Sequence, residues 1–381
     1  DTVKITKATQ FYAVRRKSNY YTVSYYLGNG STNAAYQKLT QTVEEGTVVT
    51  FAKVPARTGY VNQGWSSKKN SEKATAKAKC TVNKNITLYA VQKKAVQLTF
   101  HRCDGSTWQK TTLAKGSSYS LPGVRDAEGY TFMGWSTKPM QSVSPQYEAE
   151  EKITVNGNVD LYAVVFNRTT ETDLTEDQLP QVDIYKYKQV IFVGDSRTEF
   201  MENVLTGMGE SATKNVKFVC SAGKGLDWFT TTGWAQLYSI VQHDSNSILS
   251  KKTAVIFNFG VNDLSKSADY AEYYNWIAPQ LKSKGCELYF MSVNPVNRLM
   301  LPNAGRADRS EAAVRSFNQY MKANLSSAYT YIDMYSYLKS TGYSFASDHY
   351  GTGTVDDGLH YTTRTYKRIF AKCMDSLRVP A

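Results

Sequence analysis

A sequence repeat with a period of about 70 residues fills the N-terminal half of this 381-residue chain and limits what it can fold into. Residues 59–66 (Gly-Tyr-Val-Asn-Gln-Gly-Trp-Ser) return at 129–136 as Gly-Tyr-Thr-Phe-Met-Gly-Trp-Ser. A Leu-Tyr-Ala-Val ending at 88–91 returns at 161–164, and Phe-Tyr-Ala-Val stands at 11–14. Repetition at a fixed spacing predicts several copies of one small module. We expect repeats at 20–95 and 96–166, with residues 1–19 as the tail of an upstream repeat, and therefore a natural protein that extends further N-terminally.

The repeats carry short segments of alternating polarity, such as residues 21–26 and 97–100, which predict β-strands. Their Gly-Tyr and Gly-Trp pairs mark turns beside aromatic core residues. On these motifs the repeats resemble the internalin-B-type B repeats (Listeria–Bacteroides repeats), with Asn62 where the family has an aromatic residue. The resemblance implies small β-grasp-like modules of bacterial surface proteins. We expect a secreted or surface-attached protein of a Gram-positive bacterium.

The positive charge of the chain belongs to the repeats. Residues 1–166 hold 22 lysines and arginines against 11 aspartates and glutamates, so they account for +11 of the net charge of +12. This charge is compatible with an anionic cell-wall polymer as a partner, or with ordinary solvated charge on β modules. No apolar run approaches the length of a membrane span. The five scattered cysteines form no metal-ligand pattern and predict no disulfide framework.

A polar, acidic stretch at 167–183 predicts a linker, and the pattern then changes to strands that alternate with helices. The predicted strands are Gln189–Val193, Val216–Cys220, Ala254–Phe259, Leu288–Val293 and Tyr329–Ile332. The predicted helices are Glu199–Leu205, Trp234–Gln242, Ala268–Lys284, Arg309–Asn324 and Thr363–Leu377. Near-continuous apolar strands between helices indicate a parallel sheet that is covered on both faces. We expect this α/β domain to occupy residues 184–381, with its ligand beyond the carboxyl ends of the strands.

A candidate nucleophile follows the first of these strands. Gly194–Ser196 (Gly-Asp-Ser) stands between an apolar strand and a helix, which places the Ser196 hydroxyl at the positive end of that helix. Serine needs a base to become nucleophilic. By itself the tripeptide is more simply explained as a turn with a helix N-cap.

Asp357 and His360 can supply that base, in a loop that enters the last helix. His360 would abstract the serine proton and Asp357 would orient the imidazole. His349, next to Asp348, is the rival base, and Asp356 is the rival acid.

Two further segments offer donors to an oxyanion. The side-chain amide of Asn262, after the strand Ala254–Phe259, can donate without a change of charge. Gly225 can bring a backbone N–H close to the same oxygen because it has no side chain. Gly223, two residues earlier, is the alternative, and both glycines are also compatible with an ordinary turn.

With these four segments the domain resembles the SGNH (GDSL-type) hydrolases over residues of about 184–378. The resemblance implies a three-layer α/β/α flavodoxin-like fold and acyl-ester hydrolysis by Ser196, Asp357 and His360. It also implies an oxyanion hole formed by Ser196, Gly225 and Asn262. Where the family has leucine or isoleucine after the serine, this chain has Arg197, which either contacts an anionic or polyhydroxylated substrate or pairs with a surface acid.

The combination predicts a serine esterase that removes acyl groups, with O-acetyl groups on a glycan or cell-wall polymer as its substrate. A lipase, lysophospholipase or thioesterase with the same residues is the alternative, and a non-enzymatic surface adhesin is a further one. No metal or organic cofactor and no nucleic-acid partner is implied. The loops expected to set specificity are Asn294–Ala307, with Arg298 as a candidate substrate-binding residue beside Arg197, and Ser344–Asp356.

Overall fold

A computed structural model describes residues 2, 4–14, 17–183, 186–243, 252–347 and 356–377. The chain divides into two compact units. The first comprises Asp1–Leu98, Thr111–Ser117 and Thr154–Asn158, and the second comprises Thr99–Lys110, Ser118–Ile153 and Val159–Ala381. Most of the second repeat therefore belongs to the same compact unit as the α/β part.

The repeats are built from short strands, as their alternating polarity predicts. In chain order the elements are β1 (Tyr20–Tyr26), α1 (Ala34–Gln37), β2 (Gln41–Glu44), β3 (Thr47–Thr50), β4 (Tyr60–Ser66), β5 (Lys79–Val82), β6 (Ile86–His101), β7 (Thr107–Ala114), β8 (Ser117–Ser120), β9 (Tyr130–Ser136), β10 (Lys152–Val155) and β11 (Val159–Asn167).

The repeated Gly-Trp pair marks the aromatic core of each module. In the first unit, β1 pairs antiparallel with β2 and parallel with β6, and Trp65 packs 4.9 Å from the ring of Tyr25. The Trp65 indole N–H donates to the carbonyl of Ala52 at 2.6 Å. In the second unit, β9 pairs antiparallel with β11, and the buried Trp135 donates to Pro122 O at 2.8 Å. The same anchoring at equivalent positions confirms that the two segments are copies of one β-rich module.

The remaining elements alternate between strand and helix. They are β12 (Tyr187–Gly194), α2 (Ser196–Met208), β13 (Val216–Cys220), α3 (Leu226–Trp228), α4 (Trp234–His243), β14 (Lys252–Asn258), α5 (Ser267–Ser283), β15 (Cys286–Met291), α6 (Glu311–Asn324), β16 (Tyr329–Ile332), α7 (Met334–Thr341), β17 (Phe345–Ser347), β18 (Asp356–Tyr361) and α8 (Thr363–Ser376).

Five of these strands form a sheet in the order β13-β12-β14-β15-β16, and every neighbouring pair in it is parallel. This is the flavodoxin-like order, in which ligands bind beyond the carboxyl ends of the strands. The structure confirms the predicted α/β/α fold.

Alternate residues of the central strands enter two different cores. On β12, Ile191 and Val193 belong to a cluster that contains residues of α5 and α6, whereas Val190 and Phe192 belong to a cluster that contains residues of α2 and α8. Because side chains of a strand alternate between its faces, a strand that is buried on both faces is apolar throughout. This explains why the sheet was readable as continuous apolar runs.

Two features near the C-terminus differ from the expectation. Helix α7 was not predicted, and residues 356–361 form strand β18, which pairs antiparallel with β17 rather than forming a loop before α8. The two ends of β18 pair with β17, and the side chains of Asp357 and His360 between them are held by their own hydrogen bond.

The acidic stretch at 167–183 packs against the α/β part. It contains two short 3-10 helices, Arg168–Thr170 and Glu176–Gln178. Glu171 is buried, and its carboxylate accepts hydrogen bonds from Ser344 Oγ and from Arg368 Nη1 at 2.5 and 3.1 Å. The domain limits drawn from the sequence stay a prediction. None of the helices described is long and apolar enough to cross a lipid bilayer.

Candidate active site

Ser196 is the first residue of α2 and follows the end of strand β12 by one residue. Asp195 caps this helix, since its carboxylate accepts the Arg197 N–H at 3.0 Å. Gly194 must lack a side chain, because a Cβ there would lie 2.0 Å from Thr198 Oγ1 and 2.9 Å from Asn258 O. The serine hydroxyl is thereby held at the carboxyl end of the sheet and at the N-terminus of a helix, where positive potential favours developing negative charge.

His360 on β18 lies against Ser196. The distance from His360 Nε2 to Ser196 Oγ is 2.8 Å, and the distance from His360 Nδ1 to Asp357 Oδ2 is 2.5 Å. The second carboxylate oxygen of Asp357 accepts the backbone N–H groups of Leu359 and His360 at 2.8 and 2.7 Å. The structure therefore joins the three residues in one hydrogen-bonded chain.

The charge of Asp357 fixes the direction of that chain. Although burial alone would raise it, the hydrogen bond from His360 and the two backbone N–H groups hold the pKa of Asp357 below its usual value. An ionised carboxylate can only accept, so Nδ1 of His360 carries a proton and Nε2 is the acceptor for the Ser196 hydroxyl. Burial lowers the pKa of His360 below 6.5, with Asp357 acting in the opposite direction. A lowered pKa favours the neutral imidazole, which is the form that can act as a base.

The rival acid, Asp356, pairs with an arginine instead of the imidazole. Asp356 Oδ2 lies 2.6 Å from Arg168 Nη2, and Asp357, not Asp356, contacts the imidazole. His349 and Asp348, together with most of the predicted loop Ser344–Asp356, lie outside the described residues.

Ser196 and His360 open into a cavity of about 310 Å³. Among the described residues, its lining combines the reacting pair, four small residues, two arginines, one asparagine and two large apolar residues: Ser196, Phe200, Ala222, Gly223, Asn262, Gly305, Arg306, Ala307, Arg309, Leu359 and His360. Phe200 packs edge-on against the imidazole with 4.6 Å between ring centroids. A substrate ester can reach the hydroxyl from this side.

Asn262 lines this cavity, and Arg309 fixes its orientation. Asn262 Oδ1 accepts from Arg309 Nη2 at 2.7 Å, while Asn262 Nδ2 donates to Lys224 O at 2.8 Å. Because guanidinium can only donate, the amide oxygen must face Arg309 and the NH₂ group must face away from it. One amide hydrogen binds Lys224 O, and Asn262 also lines the cavity.

Gly223, and not Gly225, is the glycine that lines the cavity. Gly223 has a φ of +71°, and a Cβ built on it would meet nothing within 4 Å. Gly225 packs against Asp263 instead, where a Cβ would lie 2.4 Å from the carboxylate. That carboxylate accepts the Leu226 N–H at 2.9 Å, so the close approach of Asp263 requires glycine at position 225. Which of the two glycines donates its N–H to an oxyanion stays a prediction, with Gly225 preferred from the sequence and Gly223 as the alternative that lines the cavity.

Arg197 does not face the substrate, contrary to one expectation, and it does not pair with a surface acid, contrary to the other. It is 3% exposed, and its guanidinium donates to the carbonyls of Leu359, Asn294 and Pro295 at 3.0, 2.9 and 2.8 Å. Planar guanidinium can serve several carbonyls at once, so one side chain ties β18 to the loop after β15. Arg197 is a structural tether behind the nucleophile.

Arg298 also lies elsewhere. Its guanidinium forms a two-pronged contact with Asp308 at 2.6 and 2.7 Å, and Nη1 lies 3.3 Å from Glu150. It is not among the residues that line the cavity. The expectation that Arg298 binds substrate is corrected, since a satisfied surface ion pair accounts for it.

Two arginines that were not among the predicted site residues, Arg306 and Arg309, line the cavity. Arg309 was placed inside a helix, but α6 begins at Glu311 because Ser310 caps it through Ala313 N–H at 3.0 Å. The serine followed by glutamate was a helix-start signal that would have left Arg309 in the loop. Among the residues described, no cluster of His, Cys, Asp or Glu has the form of a metal site.

Comparison with known families divides the chain as the motifs do. The Listeria–Bacteroides repeat domain matches residues 21–91 and 97–164, and the GDSL-like lipase/acylhydrolase family matches residues 190–373. A comparison with curated proteins finds no match.

Solved structures that resemble the chain include a candidate acylhydrolase from Bacteroides fragilis, with 16% identity over 53% of this chain and 92% of that one (TM-score 0.32). An acetyl xylan esterase is 10% identical over 50% of this chain and 100% of its own (TM-score 0.34). The C-terminal catalytic domain of peptidoglycan O-acetyltransferase A from Streptococcus pneumoniae is 16% identical over 50% and 92% (TM-score 0.30).

Proposed function

Because the chain carries a GDSL-like lipase/acylhydrolase domain behind two Listeria–Bacteroides repeats and is an SGNH-type ester hydrolase, we propose that Ser196, His360 and Asp357 are its catalytic triad. The observation that carries the proposal is the hydrogen-bonded chain from Ser196 Oγ through His360 to Asp357, which opens into a cavity. Its substrates are O-acetyl esters of a glycan or cell-wall polymer.

The reaction runs in two halves. His360 Nε2 takes the proton of Ser196 as Oγ attacks the ester carbonyl, and the carbonyl oxygen becomes an oxyanion. When the tetrahedral intermediate collapses, the ester C–O bond breaks and His360 gives the proton to the leaving alcohol. Water then enters, His360 takes its proton, and collapse of the second intermediate releases the carboxylic acid and returns the proton to Ser196.

Three groups around Ser196 are suited to hold the oxyanion. The N–H of Ser196 is at a helix N-terminus, where it has no partner inside the helix. Asn262 Nδ2 lies in the cavity lining with its orientation fixed by Arg309, and Gly223 lines the same wall. Donors that are already in place cost no reorganisation when the charge develops.

The lining favours a small acyl group and a polar alcohol. Arginine and asparagine side chains make up part of the wall, and Phe200 and Leu359 are its large apolar members. A long acyl chain would need a longer apolar groove to be removed from water. Guanidinium and amide donors match the hydroxyl groups of a sugar.

The test is a series of p-nitrophenyl esters from acetate to palmitate, with acetylated xylan and acetylated peptidoglycan as polymer substrates. We expect kcat/KM to be highest for acetate and release of acetate from at least one polymer, and no turnover by Ser196→Ala. A rise of kcat/KM toward long chains would instead identify a lipase or thioesterase. An inert wild type, or a Ser196→Ala variant as fast as wild type, would remove the catalytic proposal.

The repeats indicate an extracellular or surface protein, and we propose that the first one attaches to an anionic wall polymer. Its residues 67–79 carry an exposed basic cluster: Lys68, Lys69, Lys73, Lys77 and Lys79. Opposite charge would concentrate the enzyme on such a surface, and added salt would screen the attraction. Sedimentation of the full chain with purified walls should fall between about 0.05 and 0.5 M salt. Retention that does not change with salt would contradict a charge-driven attachment.

A further inference from the structure

A carboxylate of the second repeat is buried against residues that hold the catalytic strand. The side chain of Asp126 is fully buried. One of its oxygens accepts from Asn297 Nδ2 at 2.8 Å and from the Phe132 N–H at 3.0 Å, and the other accepts from Arg168 Nη2 at 2.7 Å. Asp126, Arg168 and Asn297 all belong to the second compact unit.

Both partners of Asp126 reach β18, on either side of Asp357. Arg168 Nη2 lies 2.6 Å from the carboxylate of Asp356, the residue before Asp357. The backbone N–H of Asn297 donates to Gly358 O at 2.9 Å, the residue after Asp357. Gly358 has a φ of +69°, and a Cβ on it would lie 2.5 Å from Asn297 O, so this approach requires glycine. Asp126 is thus connected to both neighbours of the residue that orients His360.

Residues of the second repeat fix the side chains of Arg168 and Asn297. Arg168 Nε donates to Thr131 Oγ1 at 2.9 Å, and Asn297 Nδ2 also donates to Val124 O at 3.1 Å. Met133 and Phe166 of the repeat belong to the same hydrophobic cluster as Tyr361 of β18. A closely packed interior passes on a displacement rather than absorbing it.

We infer that Asp126 is a positioning residue for the Asp357–His360 pair and that the second repeat is part of the catalytic unit. The inference rests on the proposed function. Displacement of a catalytic group by about 1 Å can reduce the rate about 100-fold. Removal of the Asp126 charge loosens Arg168 and, through it, the start of β18, while the cavity wall that binds substrate is left intact. The effect falls on kcat rather than on KM.

The test compares Asp126→Asn with Asp160→Asn in the full chain. Asp160 is a matched control because it lies in the same repeat, is 59% exposed and pairs only with His101 among its described contacts. We expect Asp126→Asn to lower kcat at least 10-fold with KM changed less than twofold, and Asp160→Asn to match wild type. The rate of Ser196 inactivation by a sulfonyl fluoride, measured per folded molecule, should fall in parallel with kcat.

A double-mutant cycle shows whether Asp126 acts through Asp356. If it does, Asp126→Asn combined with Asp356→Asn will lose less than the product of the two single losses. If Asp126→Asn does not fold, Asp356→Asn alone carries the test, since it breaks one of the two contacts and must lower kcat.

The inference would be overturned if folded Asp126→Asn had the kcat of the wild type and was inactivated by the sulfonyl fluoride at the wild-type rate. So would a loss confined to thermal stability, because a merely structural contact changes the folded fraction and not the reactivity per folded molecule. These results differ from failure of the proposed function, in which wild type itself hydrolyses no ester or Ser196→Ala retains activity.

Discussion

Arg309 holds the side-chain amide of Asn262 in one orientation, with 2.7 Å between Arg309 Nη2 and Asn262 Oδ1. Arg309 is fixed in turn, because its Nε donates to Val261 O at 2.6 Å and its Nη1 to Ala307 O at 2.9 Å. Without this arginine the amide could rotate and present its oxygen to the oxyanion, which would repel it.

Substitution of Arg309 by Met is therefore expected to lower kcat roughly 10- to 100-fold, and Asn262→Ala to lower it roughly 100- to 1,000-fold. Steady-state kinetics on an acetyl ester measures both. Arg364→Met, at an exposed arginine outside the cavity, is the matched control. The orienting role would be contradicted if Arg309→Met kept the wild-type kcat. It would also be contradicted if Arg309→Met lowered kcat by the same factor in the Asn262→Ala variant as in the wild type.

The pH dependence should report a neutral His360. Because burial lowers the pKa of His360 below 6.5, the acid limb of kcat/KM should have its midpoint below pH 6.5. Activity is lost as the pH falls through this value, since protonated imidazole cannot accept the serine proton. A profile from pH 4.5 to 8.5 measures the midpoint, and a midpoint above 6.5 would contradict the burial argument.

Replacement of Asp357 by Asn changes the shape of the side chain very little but should lower kcat greatly. An asparagine can donate to Nδ1 and favour the wrong tautomer of His360, so we expect kcat to fall by about three to four orders of magnitude. Asp356→Asn is the neighbouring comparison, with a smaller loss expected from its contact to Arg168. Equal losses at the two positions would contradict the assignment of the acid to Asp357.

Arg197 should matter for stability rather than for substrate binding. Arg197→Met removes this donor from the buried carbonyls of Leu359 and Asn294, whereas Pro295 O still accepts from the Tyr361 hydroxyl. Unsatisfied buried groups cost about 1–3 kcal/mol each, and partial relaxation makes a total loss of about 2–5 kcal/mol the expectation. Denaturant unfolding measures the free energy of unfolding. A raised KM with unchanged stability would support the substrate-binding interpretation instead.

Much of the fold could be predicted from the sequence because its signals are local. Strands β13 and β16 have the predicted bounds, since each is an apolar run between polar turns. Helix α7 was missed because it is short and rich in tyrosine, although Asp333 before it and Gly342 after it are cap residues. The intrinsic helix propensity of such a segment is weak, so tertiary packing determines whether it is helical.

The site residues that belong to sequence motifs could be predicted. Ser196, Asp357 and His360 follow from spacing and from family resemblance, and the structure brings them together. The sequence could not distinguish the surroundings of Gly223 from those of Gly225. Only the folded structure shows that Gly225 packs against Asp263 and that Gly223 lines the cavity. The roles of Arg197 and Arg309 depend on partners 47 to 162 positions away in the chain, which no local pattern records.

The central claim is that Ser196 is a nucleophile activated by His360. Incubation of the full chain with phenylmethylsulfonyl fluoride, followed by intact-mass and peptide analysis, tests it most directly. The account predicts one sulfonyl adduct per molecule on the peptide with Ser196, loss of esterase activity in proportion to labelling, and labelling slowed by orders of magnitude in His360→Ala. An adduct on another residue, or activity that survives complete labelling of Ser196, would contradict it.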